Sequence, residues 1–204
     1  MLAAHKINSY SKLSDEDLME RFQSDDQRAY NELVIRYRDR LVNFICAMIH
    51  DFDSAQDLAQ DTLFKVYTHK HSYKRIAKFS TWLYTIAKNS TLTDIRKKNR
   101  RKTYSFSEVE AGSSSNISFE QNIANSNIIS SYKKTDQFNF SRDTIMSKIN
   151  ELPEDFKLII ILRDIQELSY DEISRIMELA VGTVKSRLNR ARLKLRDLLL
   201  GEVK

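Results

Sequence analysis

The chain has 204 residues, enough for one or two small domains with real cores, and a formal net charge of +5. It holds only 3 Gly and 1 Pro, and no run shows sustained polar–apolar alternation. The turns that a β-rich fold needs are therefore missing, and the expected fold is all-α. A single cysteine, Cys46 in the apolar run Leu41 to Ile49, excludes a disulfide framework and reads as a small buried hydrophobe.

No apolar stretch approaches the roughly 18 residues of a membrane span, and Met1 to Tyr10 lacks a signal-peptide core. A cytoplasmic protein with no direct membrane insertion is expected. Residues 1–102 carry 19 basic and 13 acidic side chains, residues 103–141 carry 2 and 4, and residues 142–204 carry 12 and 11. Two basic ends around a mildly acidic middle predict two nucleic-acid contacts, separated by a segment that avoids phosphate.

The first predicted helix starts at Ser14, a capping residue with Asp17 at the third place, and runs through Phe22. A longer helix begins after Asp25-Asp26 and extends to about His50, burying Leu33, Tyr37, Leu41, Phe44, Ile45 and Met48. The third opens at Asp53-Ser54 and continues to about Thr68. Its buried face is Ala55, Leu58, Ala59, Thr62, Leu63 and Val66, whereas Asp57, Gln60, Asp61 and Phe64 cluster on the other side. A polar helix face is usually only solvated. An exposed Phe among acids is better explained by a protein partner, because aromatic residues anchor interfaces.

His69 to Phe79, HKHSYKRIAKF, is a basic and aromatic loop. The fourth helix follows from Ser80 to about Arg100 and ends in a basic run that includes Arg96, Lys97, Lys98, Arg100, Arg101 and Lys102. Alone, such a run is a phosphate anchor. Preceded by Tyr73, Phe79, Trp82 and Tyr84, it resembles a surface for separated strands, where bases stack on rings. Trp82 lies one turn from Ile86 and suits the core as well as it suits the contact.

From Thr103 to Ser141 the chain is rich in Ser and Asn without a firm helical period, which predicts a flexible linker with one short helical turn near Phe119 to Ile128. Two small helical domains, residues 1–102 and 142–204, flank it. In the second, Ser169 and Glu172 form a capping box for a short helix that buries Ile173 and Ile176. A brief turn then leads to a helix starting near Gly182. At about 100° per residue, Val184, Leu188, Ala191 and Leu195 share one stripe, with Lys185, Ser186, Asn189 and Arg190 opposite. Arg187, Arg192, Lys194 and Arg196 lie on the flanks or further along.

Between Lys185 and Arg196 there are six basic residues and no acidic one. Residues 142–178 hold 5 basic and 9 acidic side chains, and residues 179–204 hold 7 and 2. An ordinary surface mixes its signs; one that binds duplex concentrates positive charge on the inserted element. The segment reads as a helix-turn-helix whose second helix enters the major groove.

Taken together, DSAQDLAQDTLFKVY, FSTWLYTIAKNSTLTDIRKKNRRK, LPEDFKLIIILRDIQELSYDEISRI and VGTVKSRLNRARLKLRDLL closely resemble the extracytoplasmic-function class of bacterial sigma factors. The resemblance covers nearly the whole chain except the linker and the first dozen residues. It implies an initiation subunit of RNA polymerase, not an enzyme, that directs core polymerase to promoters and helps open them.

The implied partners are the polymerase clamp helices and flap, promoter DNA as duplex and as melted strand, and a membrane-associated anti-sigma factor. On this resemblance Asp57, Gln60, Asp61 and Phe64 meet core polymerase. The minus-10 element is met by Lys70, Ser72, Tyr73, Lys74, Arg75, Lys78, Trp82, Tyr84, Lys88, Arg96, Lys97 and Arg100. The minus-35 element is read by Thr183, Lys185, Ser186, Arg187, Asn189, Arg190 and Lys194.

Three positions depart from the family pattern. Glu178-Leu179-Ala180 stands where members often have Gly-Ile-Pro, which puts Glu178 at a left-handed position costing roughly 1 kcal/mol relative to Gly. Gln56 stands where an acid is usual, and Asn189 falls at a variable readout position. A conventional dimeric helix-turn-helix regulator would account for the C-terminal part, though not for an aromatic-basic helix in a second, tethered domain. Enzyme function is disfavoured. His5, His50, His69 and His71 are scattered; His69-x-His71 could chelate a metal, but no carboxylate or Cys stands at ligand spacing, no Gly-rich phosphate loop occurs, and neither metal nor cofactor is expected.

Overall fold

The computed structural model describes residues 10–105 and 141–201. The linker and its expected short turn at 119–128 lie outside the described residues. Eight α-helices carry the fold among the described residues: α1 (Asp15–Gln23), α2 (Gln27–Ile49), α3 (Phe52–Thr68) and α4 (Phe79–Ser105), then α5 (Arg142–Asn150), α6 (Glu154–Ile160), α7 (Tyr170–Met177) and α8 (Val181–Leu200). A 3₁₀ turn, Lys70–Ser72, sits between α3 and α4, and a π-helical turn, Ile161–Ile165, extends α6. There is no strand among the described residues.

Local chemistry sets the helix starts. The Ser14 side chain accepts the Asp17 N–H at 3.1 Å, and Asp26 accepts that of Arg28 at 3.0 Å. Helix α3 opens earlier than its Asp53-Ser54 pair implies, because Asp51 accepts both the Ser54 N–H (3.2 Å) and its hydroxyl (2.6 Å). The Ser169–Glu172 capping box is complete. Capping supplies partners for first-turn N–H groups that have none within the helix.

The expected stripes are buried: Leu33, Tyr37, Leu41, Phe44, Ile45 and Met48 on α2, and Val184, Leu188, Ala191 and Leu195 on α8. On α3, Leu58 is only partly covered. Cys46 lies inside, and burial pushes its thiol up to about 11, so it stays a neutral packing group. In the C-terminal half, Arg192 forms a two-pronged pair with Asp164, whose side chain is almost fully covered, and this ties α8 to the π-helical turn.

The two helical halves pack against each other along α4 and α7. The Tyr84 hydroxyl, deeply buried, donates to the Gln166 side chain at 2.5 Å. The Lys88 ammonium donates to the Ile176 carbonyl at 2.7 Å. Ser80 and Lys78 both reach Glu172, each at 3.3 Å, and Arg175 reaches the Ile76 carbonyl. Although burial opposes it, hydrogen bonds from Ser169 and the nearby Lys78 hold the Glu172 carboxyl below its usual range.

At the far end, His50 ends α2 in a left-handed conformation and faces the other half. Its ring nitrogens lie 3.1 Å from the Asn150 amide and 3.5 Å from the Lys157 ammonium. Burial, with the Lys157 charge added, pushes the imidazole down to about 4.

Glu178 ends α7 at φ 57°, ψ 43°, the left-handed region where Gly is favoured. We expect Glu178→Gly to raise stability by about 1 kcal/mol in urea unfolding, since its carboxylate lies 3.8 Å from Lys88 and contributes little in return. An unfolded or undocked His50 takes up its proton near pH 6.5, whereas the docked one does so near 4. Its contribution is therefore whole above about pH 6.5 and is lost as the pH falls toward 4. Melting curves from pH 7 to 5 should show a steeper decline for the wild type than for His50→Gln, which has no proton to take up.

Candidate nucleic-acid and polymerase interfaces

On α3 the spacing i, i+3, i+4, i+7 brings Asp57, Gln60, Asp61 and Phe64 onto one exposed ridge. Phe64 is 66% exposed, far more than a ring of that size needs in a monomer. One turn along, Tyr67 is also exposed, with its hydroxyl bonded to Gln27 and its ring against Tyr30 and Phe22. Sequence reading missed Tyr67, although its i+3 spacing from Phe64 carries the signal. Lys65 turns away from the ridge and bonds Ser90 on α4.

Of the twelve side chains expected at the minus-10 element, Lys70, Tyr73, Tyr84 and Lys88 are largely covered, and Arg75 is held in a surface ion pair. Lys70 is mostly covered; its ammonium pairs with Asp25 and donates to the Phe22 carbonyl, where the end of α1 attracts a cation. Tyr73 is buried beside Trp82 and Phe79, and its hydroxyl donates to the Ala77 carbonyl at 3.0 Å. Burial raises that phenol to about 12, so it acts as a neutral donor.

Arg75 pairs with Asp17 and Glu20, at 2.9 and 3.0 Å, because α1 is acidic along that side. Tyr84 and Lys88 lie in the contact between the halves: the inward face of α4 buries the ring, and the lysine head caps the C-terminal end of α7. In this conformation all five are engaged within the chain.

Ser72, Lys74 and Lys78 remain on the surface of the loop, and Arg96, Lys97 and Arg100 on the last exposed turns of α4. Trp82 is half-buried against Tyr73, with ring centroids 5.4 Å apart. Ile76 is 81% exposed on the same loop.

On α8, Lys185, Ser186, Asn189, Arg190 and Lys194 form an exposed strip, with Thr183 half-exposed at its start. The Lys185 ammonium sits 5.6 Å above the Tyr170 ring, which aims it along α7. Arg187 is partly covered and has a partner within the chain. It leaves the strip to pair with Asp155 on α6 at 2.9 Å, since the acidic first turn of that helix lies beside it. Helix α8 begins after Ala180 with no side-chain cap, which presents its first N–H groups to an outside acceptor. Among the described residues, no group of His, Cys, Asp and Glu is arranged to hold a metal ion.

The family model for sigma-70 region 2 matches residues 33–101, and the one for sigma-70 region 4 matches residues 142–195. Those two regions in that order define a promoter-recognition subunit. The RNA polymerase sigma-H factor of Pseudomonas aeruginosa is 34% identical over 178 residues, spanning 87% of this chain and 90% of its own length. The ECF RNA polymerase sigma-E factor of Escherichia coli is 35% identical over 188 residues, spanning 89% and 92%.

Among solved structures, the sigma factor RpoE in complex with the anti-sigma factor NepR, from Bartonella quintana, has a TM-score of 0.64 at 25% identity. The likeness covers 83% of this chain and 96% of that one. The chain belongs to the extracytoplasmic-function (ECF) class of RNA polymerase sigma factors. It is an initiation factor and not an enzyme: it brings core RNA polymerase to promoter DNA, and the chemistry is the polymerase's.

Proposed function

We propose that residues 1–102 dock on core polymerase and capture the minus-10 element, that residues 142–204 read the minus-35 element, and that residues 103–141 tether them. The reading rests above all on two exposed faces of contrasting character. One is the acidic α3 ridge around Phe64; the other is the basic strip of α8. Carboxylates around an aromatic anchor suit a protein groove, and the clamp helices of core are that partner. A cationic strip with Asn189 and Arg190 at its centre suits base edges in the major groove, Arg190 on guanine and Asn189 on adenine. Lys185, Ser186 and Lys194 flank them, and Thr183 with the uncapped helix start meets phosphate.

Ser72, Lys74, Lys78 and Trp82 receive the melted minus-10 strand, with Arg96, Lys97 and Arg100 following its phosphates. In the docked arrangement, Lys78 is paired across the halves while Tyr84 and Lys88 are covered. We read this as a resting form that core polymerase opens, the flap taking the C-terminal half. Because RpoE of Bartonella quintana binds an anti-sigma factor, a comparable inhibitor, held at the membrane, is the proposed regulator. The chain itself works in the cytoplasm, and no helix among the described residues is long and apolar enough to cross a membrane.

Transcription with purified core over a promoter library tests these assignments. Asp61→Lys should weaken binding to core while leaving the melting curve unchanged, because the side chain faces solvent. Unaltered core affinity would refute the clamp contact. Arg190→Ala should lose discrimination among minus-35 sequences by about 1–3 kcal/mol. If its base preferences matched those of the wild type, the readout assignment would fall.

A further inference from the structure

Helix α1 has no assigned role, yet it grips the loop between α3 and α4 at three separate places. At its last residue, both hydrogens of the Gln23 amide are used: Nε2 donates to the Lys70 carbonyl at 2.7 Å and to the Tyr73 carbonyl at 3.0 Å. Those two carbonyls bracket the 3₁₀ turn, so one side chain fixes its span. In the middle of α1, Asp17 and Glu20 hold Arg75. Near its start, Glu16 accepts the Phe79 N–H at 2.9 Å, a first-turn amide of α4 that the helix itself leaves unpaired.

The consequence is a loop whose backbone is held from one side while other side chains point outward. Ser72, Lys74 and Ile76 are exposed between the three attachment points. A loop that must receive an unstacked base gains affinity and selectivity when its shape exists beforehand. A Gln amide is suited to this task, since it supplies two donors and no charge to two acceptors that are themselves uncharged.

We propose that Gln23, supported by Glu16, is a positioning residue for minus-10 selection: it sets the loop shape that discriminates the captured base and does not touch DNA itself. The proposal rests on the reading of the 69–79 loop as the minus-10 capture element. Its test uses the full-length protein with core polymerase on promoters randomised at the minus-10 and minus-35 elements. Open-complex yield is scored by sequencing.

Gln23→Met keeps the length and removes both donors. It should flatten base preference within the minus-10 element by roughly tenfold, the scale of two lost hydrogen bonds. Minus-35 preference and core affinity should stay as in the wild type. Glu16→Gln, which keeps an acceptor oxygen for the Phe79 N–H, should retain the preference. Glu16→Leu, which has none, should flatten it, and this pair carries the same readout if Gln23→Met does not fold. Unchanged minus-10 preference in Gln23→Met and Glu16→Leu overturns the proposal, and so does an equal loss at both elements with a lowered melting temperature.

Ser72→Ala and Lys74→Ala separate the two levels of the argument. If they alter minus-10 preference and Gln23→Met does not, only the positioning role fails. If none of them alters it, the loop reading fails as well.

Discussion

The ammonium of Lys88 lies in the contact between α4 and the carbonyl end of α7, and much of the remaining architecture follows from it. A lysine that is nearly inaccessible must find acceptors, and the Ile176 carbonyl supplies one. That bond sits where α4 serves both halves of one continuous core. One side packs on α2 and α3 through Leu83, Tyr84 and Ala87, and the other receives α7. Tyr84 shows the same double duty, with its ring edge-on to Phe44 and its hydroxyl bonded to Gln166. The π-helical turn belongs to this arrangement, because it directs Asp164 back toward Arg192 while Gln166, just beyond it, faces α4.

Electrostatics divides the N-terminal half into an internal and an external set of cations. Helix α1 is short but strongly acidic, and it draws Lys70 and Arg75 toward itself. Cations on that loop are thus partly spent on shape, while those at the end of α4 and along α8 stay outward. The halves differ in how they achieve order. The N-terminal one relies on an aromatic cluster of Tyr37, Tyr73, Phe79 and Trp82. The C-terminal one relies on aliphatic packing plus one covered ion pair.

Features governed by neighbours a few residues away were legible in the sequence. The Ser14 and Ser169 caps, the α2 and α8 stripes and the exposed Phe64 follow from spacing alone, and the left-handed Glu178 from the family's Gly at that place. Lys70, Tyr73, Arg75, Tyr84, Lys88 and Arg187 read as outward-facing cations and rings; the structure covers Lys70, Tyr73, Tyr84 and Lys88 and ties Arg75 and Arg187 to carboxylates at the surface. Lys70 meets a carboxylate 45 positions away, Arg187 one 32 positions away, and Lys88 a carbonyl 88 positions away. Helical periodicity gives the side of a helix but not what another helix brings to that side. The acidity of α1 was a usable signal for Arg75; nothing local indicated Gln166 or Ile176.

The pairing of so many basic groups inside the chain bears on how it handles DNA in bulk. Binding to a duplex releases counterions in proportion to the phosphates that Lys and Arg newly neutralise. Arg187 and Arg75 already hold carboxylates, so trading those for phosphate adds little to that release. Among the described residues, the cations left to add to it are mainly the exposed ones of α8, of the end of α4, and Lys74 on the loop. A chain that neutralises few phosphates in this way should show a shallow salt dependence and a weak hold on random sequence. It would then stay available to polymerase, with its residence on DNA decided by the few bases it contacts.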